Sequence, residues 1–259
     1  MAANVTTQTQ INVAFPEVAE KHLHIAVGAC KFKAVPGGEA WVSGTYDPGD
    51  TGVPVKIEQQ GGTVRLMQDV KSFYPFGWFS KPPRFDLALS TAQPYQLTLE
   101  TGASDNSIDL GGVPVTRLNV RQGAGRSDID FSAANPQPMS LLKVEAGAIG
   151  LEMKNLANAN FAEMFVDGGA AAYKFDFGGT LQRDATLKIT TGMSSVEIFV
   201  PSTLAVKVSA ETVMGGFNLA DGFTKRDGAF WSAAAVEGKS PVLTIHANVS
   251  LGSLAVKVR

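Results

Sequence analysis

Cysteine is nearly missing from this chain: Cys30 stands alone among 259 residues. No intrachain disulfide can staple the fold, so stability must come from burial and backbone pairing. Histidine is scarce too, at three residues, and only two of them, His22 and His24, stand close together in sequence, too few ligands for a metal centre by themselves. Neither sign of charge dominates: 22 basic residues meet 24 acidic ones. That balance excludes the basic footprint of a nucleic-acid binder or of a protein drawn to an anionic membrane. No stretch approaches the roughly 18 consecutive apolar residues of a membrane span, and the polar opening MAANVTTQTQ lacks the apolar centre of a secretion signal. As it stands, the chain reads as soluble.

What the chain does have is a plan that returns. In LNVRQGAGRSDIDF, Leu118 and Val120 alternate with Asn119 and Arg121, the period of a half-buried strand. Gly123-Ala124-Gly125 then turns the chain, and Ile129 and Phe131 flank an outward Asp130. The plan recurs in Leu97 and Leu99, Gly102-Ala103, Ile108-Asp109-Leu110, and again in Leu142 and Val144, Gly147-Ala148, Leu151-Glu152-Met153. It continues in Phe165-Val166, Gly168-Gly169-Ala170, Phe175-Asp176-Phe177; in Leu187 and Ile189, Gly192-Met193, Val196-Glu197-Ile198; and in Val206 and Val208, Gly215-Gly216, Phe217-Asn218-Leu219. Copies are spaced by about 21 to 24 residues, a solenoid period. The turn reads as longer after Gly102, Gly123 and Gly169 and shorter after Gly147 and Gly192. An early copy falls at residues 22–35, two weaker ones at 41–66 and a last one at 243–258.

Two short strands per copy cannot bury their apolar faces alone, but piled in register they share ladder hydrogen bonds at about 4.8 Å per layer. Such stacking predicts that Leu118, Val144 and Ile189 form one column. Period 2 excludes helical repeats, and the dense leucine consensus of leucine-rich repeats is missing. The expected fold is all-β, a single-stack parallel β-solenoid over residues 21–259, ahead of an antiparallel sandwich. Residues 1–20 read as a polar lead-in that frays. Leu118, Val120, Ile129, Phe131, Leu142, Val144, Leu187 and Ile189 are the expected core, with Asn119, Asp130, Glu152 and Lys188 outside.

Residues 71–85, KSFYPFGWFSKPPRF, interrupt the rhythm. Pro75, Pro82 and Pro83 disfavour a regular strand, so Phe73, Tyr74, Phe76, Trp78 and Phe79 read as a loop. It either covers an apolar flank or an open end of the array, or presents an aromatic patch to a partner, a glycan or a lipid surface.

Candidate chemistry is thin. Ser140-Leu141-Leu142-Lys143 and Ser104-Asp105-Asn106 match penicillin-binding motifs, but in the wrong order and at strand positions. Gly192-Met193-Ser194-Ser195 lacks the second glycine of a nucleophile elbow. His22 and His24 share one face of a strand yet alternate with Leu23 and Ile25, which makes them solvent-facing; His246 reads likewise. Cys30 reads as a small turn residue. Asp109, Asp130, Glu152, Asp176 and Glu197 each stand between two apolar neighbours. As one column they would repel, and would be screened by water and salt or would bind basic partners or a cation such as calcium. The last copy ends in Val256-Lys257-Val258-Arg259 and reads as an open edge, the expected route to weak homo-oligomers.

The motifs LETGASDNSIDL, LNVRQGAGRSDIDF, VEAGAIGLEM, VDGGAAAYKFDFGG and ITTGMSSVEIFVP resemble the toastrack-type repeat of bacterial putative adhesin domains. That repeat is seen also in cell-wall-active antibiotic response proteins of the LiaF type, and the resemblance runs over roughly residues 20–259. It implies a β-solenoid, a bacterial envelope or envelope-stress setting, and neither catalytic residues nor a cofactor. The function it implies is a structural, adhesive or signalling module meeting an envelope protein or glycan. The rival reading is a carbohydrate-active β-helical enzyme using the outward acids.

Overall fold

Alternation of apolar residues runs through every copy, but its phase changes at the glycines. Leu97 and Leu99 are buried before Gly102, and Ile108 and Leu110 after it; Leu187 and Ile189 are buried before Gly192, and Val196 and Ile198 after it. On a straight strand the two sets would face opposite sides. Both belong to one core, so the strand must bend.

The computed structural model describes residues 8–68 and 81–259. Its strands are β1 (Thr9–Val13), β2 (His22–Val27), β3 (Cys30–Pro36), β4 (Val42–Asp47), β5 (Val55–Gln60), β6 (Thr63–Gln68), β7 (Arg84–Leu89) and β8 (Tyr95–Asp109). There follow β9 (Val115–Asp130), β10 (Met139–Lys154), β11 (Phe161–Asp176), β12 (Ala185–Val200), β13 (Ala205–Leu219), β14 (Phe223–Arg226), β15 (Ala229–Ser232) and β16 (Val242–Val258), with a short helix α1 (Ala233–Val236). The long strands β8 to β13 and β16 lie parallel and stack in the order β8-β9-β10-β11-β12-β16-β13.

Each long strand has a first arm before its glycines and a second arm after them, and the pairing register carries through the bend without a shift: Thr101 pairs with Gln122, Ala103 with Ala124 and Ser104 with Gly125. The expected strand, turn and strand is thus one bent strand. Its register is the same on both arms, with Leu118 opposite Leu142 and Ile129 opposite Met153, so the supposed long and short turns are one geometry. The continuous register shifts the pairing by two residues from the expected alignment. Val120, Val144, Val166 and Ile189 form one column, and Leu118 belongs to the next, with Leu97, Leu142, Met164 and Leu187. All eight expected core residues are buried in one interior, each aliphatic side chain worth about 1.5–3 kcal/mol of transfer free energy. Asn119, Asp130, Glu152 and Lys188 are half-buried, because strands on both sides crowd the outer face as well.

At the N-terminal end the arms separate. The first arm of β8 pairs with β2 and its second arm with β3. β6 continues the first sheet and β7 the second, both in parallel. Residues 41–66 do not add two parallel copies: only β6 is parallel to the stack, while β5 is antiparallel to β6 and β4 is antiparallel to β7. Gly61, at φ +57°, sits in the tight β5–β6 turn, where a left-handed residue lets a hairpin form. The lead-in is ordered from Thr9 onward, since β1 pairs antiparallel with β4 and buries Ile11 and Val13. Phe85 of the expected aromatic insertion lies in β7 and is fully buried.

At the other end the C-terminal strand is not an edge. β16 is inserted between β12 and β13 and pairs in parallel with both. The β14–β15 hairpin extends only the first arm of β13, through Lys207 and Val208.

Asparagines bind together the connections that lead from one layer to the next. Asn135 Nδ2 donates to the carbonyls of Val115 (2.8 Å) and Ala159 (3.2 Å). Asn160 Nδ2 donates to Gln137 O at 3.1 Å, and Arg183 donates to the carbonyls of Met139 and Asn160. These bonds satisfy buried carbonyls where the chain passes between layers.

Candidate functional site

The last outward residues of the first arms are charged where the sequence reads E-T-G, R-Q-G, E-A-G and D-G-G. The ladder places them side by side: Ala26 beside Glu100, Glu100 beside Arg121, Arg121 beside Glu145, Glu145 beside Asp167. Two residues further on, Gly28, Gly102, Gly123, Gly147 and Gly169 line the same concavity, a groove of about 980 Å³ that reaches Met67 and Gln68 at one end. Its floor is backbone because the glycines pack closely. A methyl group on Gly102 would stand 3.2 Å from Gly28 C, and one on Gly147 would collide with Gly123 O.

Arg121 ties the charged row together. Its guanidinium lies 2.7 Å from Glu100 Oε1 and also donates to Glu145, which Lys143 Nζ meets at 2.6 Å. His24 Nε2 is 3.2 Å from Glu100 Oε2. Hydrogen bonds from Lys143 and then Arg121 hold the Glu145 carboxyl below the ordinary carboxylate range. Burial pushes Glu100 upward, but hydrogen bonds from Arg121 and His24 outweigh it and the net displacement is downward. Both carboxylates are therefore firmly ionised. Asp167 carries no ion pair among the described residues.

Behind the floor lies a buried polar cluster. Gln122 Nε2 donates to Ser104 O at 2.9 Å, Ser127 Oγ donates to Gln122 Oε1 at 2.6 Å, and Asn106 Nδ2 donates to Ser127 Oγ at 2.7 Å. Gln68 accepts from Gly28 N and donates to Tyr46 OH, which fixes the groove's end. Nothing in the alternation marks the row as a site, but its signal is present in the sequence: a charge two residues before Gly102, Gly123, Gly147 and Gly169.

The residues expected to bear chemistry are placed differently. The five acids do not form one column, because the two-residue shift in register divides them. Asp109 and Asp130 are neighbours, whereas Glu152 lies beside Asp128 and Lys174, and Lys174 separates Glu152 from Glu197. Each acid has its own partner. Ser132 Oγ donates to Asp109, Asn155 to Asp130, Lys174 to Glu152 at 2.9 Å, Arg259 to Asp176 and Lys257 to Glu197. The expected repulsion is thus relieved by interleaved cations and amides. Among the described residues no three His, Cys, Asp or Glu side chains gather as a metal site.

His22 and His24 are half-buried and stacked, with ring centroids 6.1 Å apart, and His22 Nε2 meets Thr98 Oγ1 at 2.9 Å. His246 is exposed. Cys30 is buried, and burial pushes its thiol up to about 12, which leaves it without thiolate at neutral pH. Ser140 lies in β10 and donates to Thr116 O. Phe73, Tyr74, Phe76, Trp78 and Phe79 lie outside the described residues. No helix among the described residues is long and apolar enough to cross a membrane.

The family model for the N-terminal domain of toast_rack, DUF2154, matches residues 2–148. Three solved structures are similar over nearly their whole length. A putative cell adhesion protein from Clostridium sporogenes is 16% identical, with 98% of this chain and 99% of that one covered and a TM-score of 0.49. A putative adhesin from Bacteroides fragilis is 8% identical, with 96% of each chain covered and a TM-score of 0.46. A putative lipid binding protein from Parabacteroides distasonis is 14% identical, with 98% of each chain covered and a TM-score of 0.43. No curated protein matches the chain.

Proposed function

This chain belongs to the toast-rack family, and from that premise we propose that it is a non-enzymatic, adhesin-like binding module of the bacterial envelope. Its groove along the bend would hold an extended polar ligand, an envelope glycan. The observation that carries this reading is the row Glu100, Arg121, Glu145 and Asp167 above a floor of glycine backbone. Successive layers repeat at about 4.8 Å, so the row offers charged acceptors and donors at regular intervals to a chain of hydroxyl groups, while the missing side chains leave room for it. An envelope-stress setting belongs to the same proposal.

The carbohydrate-active enzyme using the outward acids is the weaker reading on geometric grounds. Asp109, Asp130, Glu152, Asp176 and Glu197 do not share one column, and each is engaged by a hydroxyl, an amide or a cation of its own.

Calorimetric titration with soluble fragments of envelope polysaccharide tests the proposal. Saturable binding that weakens at least tenfold in Arg121→Ala and in Asp167→Asn is expected, with no product released. Turnover that vanishes on replacing Glu100 or Glu145 would overturn it, as would binding indifferent to both substitutions.

A further inference from the structure

The stack has two sheets, one of first arms and one of second arms, and their outer edges are treated differently. The first-arm sheet ends in β5 at one end and β14 at the other. β5 carries Lys56 and Glu58, and β14 carries Lys225 and Arg226. Charges of this kind guard an edge against further pairing. The second-arm sheet ends in β1, TQINV, and in the second arm of β13, whose residues 212–219 read TVMGGFNL. Neither edge has a charge or a proline. Among the described residues no strand pairs with the outer side of β1, or with the outer side of β13 beyond Val208. Val213 is 76% exposed and Met214 68%.

The two unguarded edges are compatible in direction. β4 is antiparallel to β7 and β1 is antiparallel to β4, so β1 runs the same way as β7 and hence as the second arms. A second copy displaced along the stacking axis would lay its β1 beside β13 of the first in parallel, the pairing already used within the stack. We propose that copies of this chain join head to tail in this way, β13 to β1, so that the second-arm sheet runs on from one molecule to the next. With the register of the stack continued across the contact, Thr9 of one copy lies beside Phe217 of the next and Ile11 beside Leu219. The contact is heterologous, so each added copy exposes the same edge again and growth does not stop at a dimer.

Sedimentation velocity of the full chain over a concentration series tests this, with far-UV spectra confirming that each variant is folded. The wild type should show species beyond a dimer as concentration rises. Gly216→Lys with Asn218→Lys, both at exposed positions of the β13 edge, blocks one edge, and Gln10→Lys with Asn12→Lys blocks the other. Each double variant alone should be a monomer, while an equimolar mixture should form dimers and nothing larger, because one intact β13 and one intact β1 remain per pair. A wild type that stays monomeric at the highest attainable concentration overturns the proposal. So does a β1 variant that still dimerises alone, which would mean β13 pairs with itself. A folded β1 variant suffices for the test even where the β13 variant is unstable.

Discussion

Adding a methyl group at two glycines of the bend should have opposite effects. Built on Gly147, the new carbon falls on Gly123 O of the adjacent strand; built on Gly192, its nearest neighbour is Gly169 O at 3.6 Å, an ordinary contact. Neither glycine has a positive φ, so backbone preference does not separate them. In both, alanine reduces the freedom of the unfolded chain, worth about 0.4–1 kcal/mol in favour of folding. At Gly147 the neighbouring strand must move, at about 1–3 kcal/mol for overpacking. The net expectation is a loss of about 1–2 kcal/mol for Gly147→Ala and a gain of up to about 1 kcal/mol for Gly192→Ala. Urea unfolding should show midpoints displaced in opposite directions at an unchanged slope. Equal destabilisation by both substitutions would refute close packing of the glycine backbone as the reason these residues stand there.

Phe131→Ala, at a side chain 1% exposed, should cost about 3–5 kcal/mol; a loss below about 1 kcal/mol in denaturant unfolding would remove Phe131 from the core. Asn135→Ala removes the bonds to two buried carbonyls and should cost about 1–3 kcal/mol, whereas Asn119→Ala, half-buried on the outer face, should stay within about 0.5 kcal/mol in the same experiment. His22 has its folded pKa lowered, by burial first and then by His24 and Arg65. Above 6.5, its ordinary value, both states are neutral; as pH falls below it the unfolded chain takes up a proton first, so stability drops. Thermal unfolding from pH 7.5 to 5.5 should show that decline, and His22→Gln should flatten it; an unchanged slope would sink the assignment.

Much of this architecture could be read in the chain. Period-2 alternation in Leu118, Val120, Ile129 and Phe131 named the core correctly, and the recurring glycines marked the bends. Register was harder to read, because a two-residue slip keeps every side chain on its face; Leu151-Glu152-Met153 matches the apolar-acid-apolar plan, whereas the stretch that pairs with Ile129-Asp130 is Met153-Lys154. Only the register carried through Ala124 and Ala148 decides between them, and with it the acidic column dissolves. The antiparallel start was concealed because β4 and β5 alternate as parallel strands do. The charged row at Glu100, Arg121, Glu145 and Asp167 was visible as a motif, but its meaning needed the neighbours that stacking supplies.

The placement of β16 has a consequence for the order in which the molecule can be completed. From β8 to β12 each strand meets one already made, so layers can add as the chain emerges during synthesis. β13 is made next but has no place beside β12; its parallel partner, β16, lies further along the chain. Until residues 242–258 exist, β12 keeps a bare edge and β13 can rest only on the hairpin that follows it. The last layers must then lock together in one event that closes the 58-residue interval between Leu187 and its partner Ile245, a slow, non-local step. Nascent chains paused before residue 242 are the ones a holdase should recognise and a protease should cut, between β12 and β13.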